Sequence, residues 1–298
     1  GGVLSSLTHD GFFLDLGCHL FDNIDDQITK TMFTLSNNEM TSINVKYKSK
    51  IFNRFSENFA VPDFTHKLIT SQVVEEIKNL ESIENNKKEE IDYKSFLKKK
   101  YGNQIYELLD KSIKKITRQD AINLSSDTDK LLPFDRIKIA NEIETKKLKE
   151  NKKFKDILAS LPNQKMHYNT RFYKHRNFYP TNGGLLSFVN NAKKYLISNE
   201  VDIINSYNID KVKMHGSEFG IINKDIELNA NNIFWTSEIK YLEDVFGTEN
   251  KISDYILNVP MIIFYFFLEA ENITDYTYIT DYDEDTYIYR TSSSGLYG

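Results

Sequence analysis

The apolar residues of this chain change their period twice, and that change limits the architectures open to it. Towards the amino end they alternate, as in TSINVKYK, where Ile43, Val45 and Tyr47 share one face of an extended chain. From Thr65 to about Leu161 they recur at three- and four-residue spacing amid dense Lys and Glu, in SQVVEEIKNLESI, YKSFLKKKYGNQIYELLDKSIKKI and FDRIKIANEIETKKLKENKKFKDILASL. This is a helical block, with ENNKKEE a solvated connection inside it and Pro133 a helix boundary. Beyond Leu161-Pro162 a loop feeds a helix beginning near Gly184, and short β-type segments follow. Those are VDIINSYNIDKVKM, SEFGIIN, IELNA and NNIFWTS, then a brief helix ended by Gly247, then strand-rich DYTYITDYDEDTYIYR. The order places the chain in the α/β (α+β) class, and 298 residues suffice for two domains or one large one.

The opening reads as strand, turn, strand and glycine-bearing loop: paired glycines, a hairpin-like turn at His9-Asp10-Gly11, then FFLDLG ending at Gly17. From Asp22 to about Lys50 antiparallel strands are expected. The longest apolar run, Ile256 to Leu268, contains Asn258 and Pro260 and falls short of the roughly 20 apolar residues of a membrane-crossing helix. It reads as a buried strand or pair of strands. No transmembrane segment is expected.

Composition narrows the partners. A formal net charge of -5 gives no general attraction to phosphate backbones, so nucleic acid is disfavoured. Cys18 is the one cysteine, which leaves no internal disulfide or multi-cysteine metal site and fits a reducing cytoplasm, with peripheral membrane association left open. Six histidines stand scattered without HxH or HxxxH spacing, so no metal ligands are assigned. The start at Gly1-Gly2, with no initiator methionine, reads as a truncation.

Several loops could carry chemistry, and each also has a plain structural reading. Gly1 and Gly2 permit close backbone approach to a ligand, or form a simple loop. In DLGCHLF, Gly17 could present amides to a flat or anionic ligand, or serve as a turn beside a hydrogen-bonded histidine. In FYPTNGG, Pro180 fixes the backbone while Gly183 and Gly184 expose amides at a helix start, where an anion could bind or the helix could simply begin. Arg171, Lys174, His175 and Arg176 lie among aromatics that include Tyr179, suiting a phosphate or carboxylate, or forming a solvated basic loop. Arg290 follows a very acidic tract and could meet an anionic substrate, or pair with Asp281, Asp283, Glu284 or Asp285.

Taken in order, these pieces resemble the flavin-containing amine oxidase superfamily, which includes protoporphyrinogen oxidases, phytoene desaturases and UDP-galactopyranose mutases. Its paired glycines and DGFxFDxGxHxF phrase are similar to Gly1-Gly2 and HDGFFLDLGCHLF. Its return phrase YPxGGxxxLxxxLAxxL resembles Tyr179 to Leu196, with Val201 to Val212 as the following strand. Its VISTxPL segment resembles Asn232 to Glu238 without the usual proline, and its FYRxSxxxxY phrase resembles the stretch from Tyr287 to Tyr297.

The resemblance implies an FAD/NAD(P)-binding Rossmann-like domain, here incomplete, interleaved with a substrate domain of mixed sheet and helices. Residues 1–60 would hold part of the FAD-binding domain and the first substrate-domain strands. Residues 61–162 would be a helical insertion, 163–248 the return to the FAD-binding domain and 249–298 further substrate-domain strands. Gly1 and Gly2 would approach the FAD diphosphate and ribitol, Gly17, Cys18 and His19 would lie by the isoalloxazine ring, and Ile209 would offer backbone contacts to adenine. Gly183 and Gly184 would frame the cofactor site. His19 would be the catalytic candidate, and Arg176, Tyr179 and Arg290 would hold a small-molecule substrate, anionic or a sugar nucleotide. Cys18 stands where this loop commonly has proline. The dinucleotide fingerprint and the closing FAD motif are expected outside the given residues, so the chain by itself should bind FAD weakly or not at all. The implied activity is hydride transfer from an organic substrate to flavin. A flavin-dependent sugar-nucleotide mutase and a non-catalytic protein retaining the fold are the alternatives.

Overall fold

The structure, a computed structural model, describes residues 2–17, 20–23, 25–80, 92–159, 177–224, 226–249, 251–293 and 295. They form two compact units, Gly1–Ala192 with Ile263–Gly298, and Lys193–Ile262.

The first unit opens with a hairpin, β1 (Ser6–His9) and β2 (Phe12–Asp15). Asp10 and Gly11 both take positive φ, 47° and 83°, which matches the tight-turn geometry whose twist suits a two-residue hairpin. That turn fixes the register, pairing His9 with Phe12 and, three steps out, Ser6 with Asp15. Next come β3 (Phe21–Asp22) and α1 (Asp26–Leu35). Helix α1 corrects the expectation of strands throughout this region: the Asp25 carboxylate accepts from the Gln27 and Ile28 amides and starts a helix there.

The alternation from Met40 onward serves two sheets. Strand β4 (Met40–Ile43) and β5 (Tyr47–Ile51) are separate elements, followed by β6 (Arg54–Glu57). The helical block then supplies α2 (Thr70–Asn79), α3 (Tyr93–Tyr101) and α4 (Asn103–Thr117). Its last third is less helical than the spacing suggests. Only α5 (Glu142–Leu148) and α6 (Lys152–Lys155) form, each begun by an asparagine cap, while Ile137 bridges Leu158 and Lys138 bridges Asp63. Strand β7 (Asn177–Pro180) lies between β3 and β4 in one sheet, and α7 (Gly184–Ser198) follows it.

The core of the first unit lies within the helical block and reaches β5 at Ile51. Leu97, Tyr101, Ile105, Leu109 and Ile113 bury the inner stripe of α3 and α4 against Phe64, Ile77, Phe134, Ile137 and Tyr282. Their three- and four-residue spacing is the pattern read from the sequence, and it buries because one helix face can exclude water only against a second layer.

The second unit contains a three-stranded antiparallel meander, β8 (Lys211–His215), β9 (Glu218–Asn223) and β10 (Ile226–Ala230), with α8 (Ile239–Phe246) beside it. Gly247 takes φ 64° and closes α8, as expected of a left-handed C-cap. Residues 201–210 and 231–237 form no strand, although their β-branched content suggested one.

The acidic tail returns to the first unit, where β11 (Tyr278–Asp281) runs parallel to β5 and antiparallel to β12 (Arg290–Ser292). The apolar run Ile256–Leu268 is a correction. It takes no ladder partner among the described residues, and Met261, Ile262, Phe264 and Phe266 stand 72–80% exposed. Its alternation survives in part. Phe267 packs on Phe12 at 4.9 Å between ring centroids, and the Tyr265 hydroxyl donates to the Asp15 carbonyl at 2.5 Å, while the intervening Phe266 faces solvent. Apolar composition alone does not bury a segment that lacks a facing layer.

Candidate functional site

The first unit draws two of the expected loops onto one carboxylate. Asp15 ends β2, two residues before Gly17, and is 7% exposed. Its Oδ1 accepts from Ser6 Oγ at 2.5 Å and from the Leu185 amide at 3.1 Å, and its Oδ2 accepts from the Tyr179 hydroxyl at 2.6 Å. Ser6 Oγ accepts in turn from the Leu186 amide at 3.0 Å. The base of the Gly17 loop is thereby tied to the first turn of α7, which Gly183 and Gly184 introduce.

This geometry gives those two glycines a concrete reason. Both have positive φ, and a Cβ on Gly184 would stand 2.8 Å from Phe13 Cβ and 3.1 Å from Asp15 Oδ1. We expect Gly184→Ala to cost about 1–3 kcal/mol through strain and displacement of the hairpin. A urea unfolding midpoint matching the parent protein would contradict the contact.

It also corrects one sequence expectation. The amides of Leu185 and Leu186 at the helix start do not await an anion: Asp15 and Ser6 already occupy them. A helix N-terminus favours negative charge, and here the protein supplies its own. The Tyr179 hydroxyl is likewise turned inward, and burial together with the neighbouring Asp15 carboxylate pushes its phenol well above the ordinary range. Tyr179 therefore acts as a standing donor to Asp15.

Gly2 has φ +61° with no heavy atom within 4 Å of where a Cβ would lie, an open backbone that a ligand can approach closely. The Ser5 amide donates to the Gly2 carbonyl at 3.0 Å and the Leu16 amide to the Ser5 carbonyl at 2.9 Å, so the Gly2 turn and the Gly17 loop are neighbours. Gly1, Cys18, His19 and Arg176 lie outside the described residues.

Arg290 does not join the acids expected as partners. Asp281 pairs with Lys50 at 3.2 Å and Lys115 at 3.3 Å, Asp283 with Lys50 at 3.2 Å, and Glu284 with Lys111. The Arg290 guanidinium instead lies 5.2 Å from the Tyr278 ring centroid and forms no ion pair among the described residues.

In the second unit, the Tyr241 hydroxyl accepts from the Ile209 amide at 2.9 Å and donates to the Ile209 carbonyl at 2.6 Å. An adenine meeting that backbone would have to displace it. The segment without its usual proline lines an open, largely aromatic cavity of about 380 Å³ with Phe219, Leu242 and Phe246.

Sequence reasoning missed Ser6, Asp15 and Tyr265. The first two had a signal: counting outward along a hairpin closed at Asp10-Gly11 sets Ser6 opposite Asp15. Tyr265 had none, because its contact spans 250 positions.

No protein-family model matches this chain, and no curated protein does. Solved structures do. A reduced UDP-galactopyranose mutase overlays all of the chain with a TM-score of 0.59 at 12% identity, and the chain covers 62% of it. A protein provisionally described as a protoporphyrinogen oxidase, from Exiguobacterium sp. 255-15, overlays 86% of the chain with a TM-score of 0.50 at 12% identity, with 55% of its own length covered. The chain thus spans less than two thirds of either. Its fold, mixed α/β, is shared with these two solved structures.

Proposed function

We propose that this chain belongs to an FAD-dependent oxidoreductase that passes hydride from an organic substrate to flavin. The observation that carries the reading is the convergence of the Gly2 turn, the Gly17 loop and the start of α7 around Asp15, in a fold shared with a mutase and an oxidase-like protein. When bound, FAD supplies the hydride acceptor, and the protein supplies orientation and electrostatics. Gly2 gives the open backbone beside which the cofactor would lie, with Gly1, Gly17 and Cys18 assigned there by resemblance. Gly183 and Gly184 serve the site from behind, by letting the hairpin seat on α7. His19 is the acid–base candidate by resemblance. Arg290, held over an aromatic face and making no ion pair among the described residues, suits an anionic substrate group, and Arg176 is its proposed companion.

A sugar-nucleotide mutase is the second reading, favoured by the overlay of the entire chain on the UDP-galactopyranose mutase. The two separate cleanly. The protein expressed from its complete reading frame is reduced under anaerobic conditions and offered UDP-galactopyranose. The oxidoreductase reading expects no isomer, and isomer formation without consumption of an electron acceptor would replace it with the mutase reading.

A further inference from the structure

We infer that Asp15 is a positioning residue for the flavin site, an inference that rests on the flavin reading above. Among the described residues, Asp15 pairs with no cation. Its carboxylate is 7% exposed, and the side-chain bonds it accepts come from two hydroxyls and one amide, those of Ser6, Tyr179 and Leu185. Its main-chain carbonyl accepts a fourth bond, from the Tyr265 hydroxyl at 2.5 Å. Four distant parts of the chain, β1, β7, α7 and the apolar run, are therefore pinned at the residue from which the Leu16-Gly17 loop departs.

A buried carboxylate is costly unless donors converge on it. A hydrophobic residue could join a hairpin to a helix, but it could not fix direction. Hydrogen bonds set both distance and angle, and a loop that must hold backbone atoms against a flat ring needs that control from the residues behind it. Ser6 extends the hold by one residue, since its hydroxyl donates to Asp15 and accepts from the Leu186 amide. Neither Asp15 nor Ser6 needs to touch the cofactor.

The test compares FAD dissociation constants and the resolved visible bands of bound flavin for the parent protein, expressed from its complete reading frame, and for Asp15→Ala, Asp15→Asn, Ser6→Ala and Tyr179→Phe. Thermal midpoints are measured alongside. Asp15→Ala should weaken FAD binding at least about tenfold and blur the flavin bands, as loss of a supporting shell does elsewhere. Asp15→Asn retains an oxygen for Ser6 and Leu185 and should recover most of that affinity. Ser6→Ala and Tyr179→Phe, which keep the carboxylate and so guard against a merely unfolded variant, should each weaken binding by a smaller factor. If the parent protein binds FAD while these variants lose only thermal stability, with affinity and spectrum unchanged, Asp15 is purely structural and the inference is overturned. If the parent protein itself fails to bind FAD, the flavin reading fails first and takes the inference with it.

Discussion

Replacing Tyr282 with alanine is expected to lower stability by about 4–5 kcal/mol, the upper part of the range for emptying a buried aromatic site. Tyr282 is 1% exposed, and its ring lies 5.8 Å from that of Phe134 in the core. It also joins three chain segments by hydrogen bonds. Its hydroxyl donates to the Ala60 carbonyl at 2.5 Å, its amide to the Lys50 carbonyl at 2.8 Å, and its carbonyl accepts from Ser112 Oγ at 2.9 Å. Alanine keeps the two main-chain bonds but empties the ring site and orphans the Ala60 carbonyl. Phenylalanine fills the site and loses only the hydroxyl, so Tyr282→Phe should cost about 1–2 kcal/mol. Urea unfolding midpoints for the pair check this, and equal losses would mean that packing contributes little there.

The second large effect is expected at Asp63. Its carboxylate accepts from Lys138 Nζ at 2.7 Å, from Ser56 Oγ at 2.6 Å, and from the Thr65 amide and hydroxyl at 3.0 and 2.7 Å. Burial by itself would raise its pKa, but these donors outweigh burial and hold the carboxyl below its usual value. Asp63→Ala leaves Lys138 without its carboxylate, with the Ser56 hydroxyl at 3.4 Å and the Phe59 ring centroid at 4.8 Å still beside it, and should cost about 3 kcal/mol, at the low end for breaking a buried pair because Lys138 keeps partial solvent access. The pH dependence has a definite sign. In the unfolded chain the group protonates near about 3.9, whereas the folded form keeps its charge to lower pH. Its contribution is therefore fully present above about pH 4 and is lost as pH falls through the depressed folded value. Unfolding midpoints at pH 7, 5, 4 and 3 should show an acid loss that is smaller in Asp63→Asn. An unchanged acid profile in that variant would remove Asp63 from the account.

These two residues also show what could be read from the chain beforehand. The inner stripe of α3 and α4 was legible because one helix face repeats its apolar residues over many turns. So were the helix start at Gly184, the stop at Gly247 and the hairpin at Asp10-Gly11, each marked by local backbone chemistry. Helix α1 was hidden because Ile28, Thr29, Met32 and Phe33 mix with residues that also suit strands, and only the Asp25 cap decides between them. The apolar run at Ile256–Leu268 was misread for the opposite reason. Its composition demands burial, yet burial depends on a facing layer that local sequence does not specify. Tyr282 and Asp63 were invisible as anchors, since their partners lie far away in sequence.

The candidate site divides along the same line. Gly17, Gly183 and Gly184 stood out as glycines in suggestive loops, and the structure gives Gly184 a packing role against Phe13 and Asp15. Nothing in FFLDLG marks Asp15 beyond a polar residue at the end of a short β-type run. Its importance comes from Tyr179, Leu185 and Tyr265, which reach it only after the chain has passed through the helical block.

Reconstitution with FAD tests the central claim most directly. The protein, expressed from its complete reading frame, is incubated with excess FAD, desalted and examined by visible absorption spectroscopy. A retained flavin spectrum at one cofactor per chain is expected. A colourless protein that cannot be loaded under any tested condition would contradict the account, and would leave the fold in place without the chemistry assigned to it.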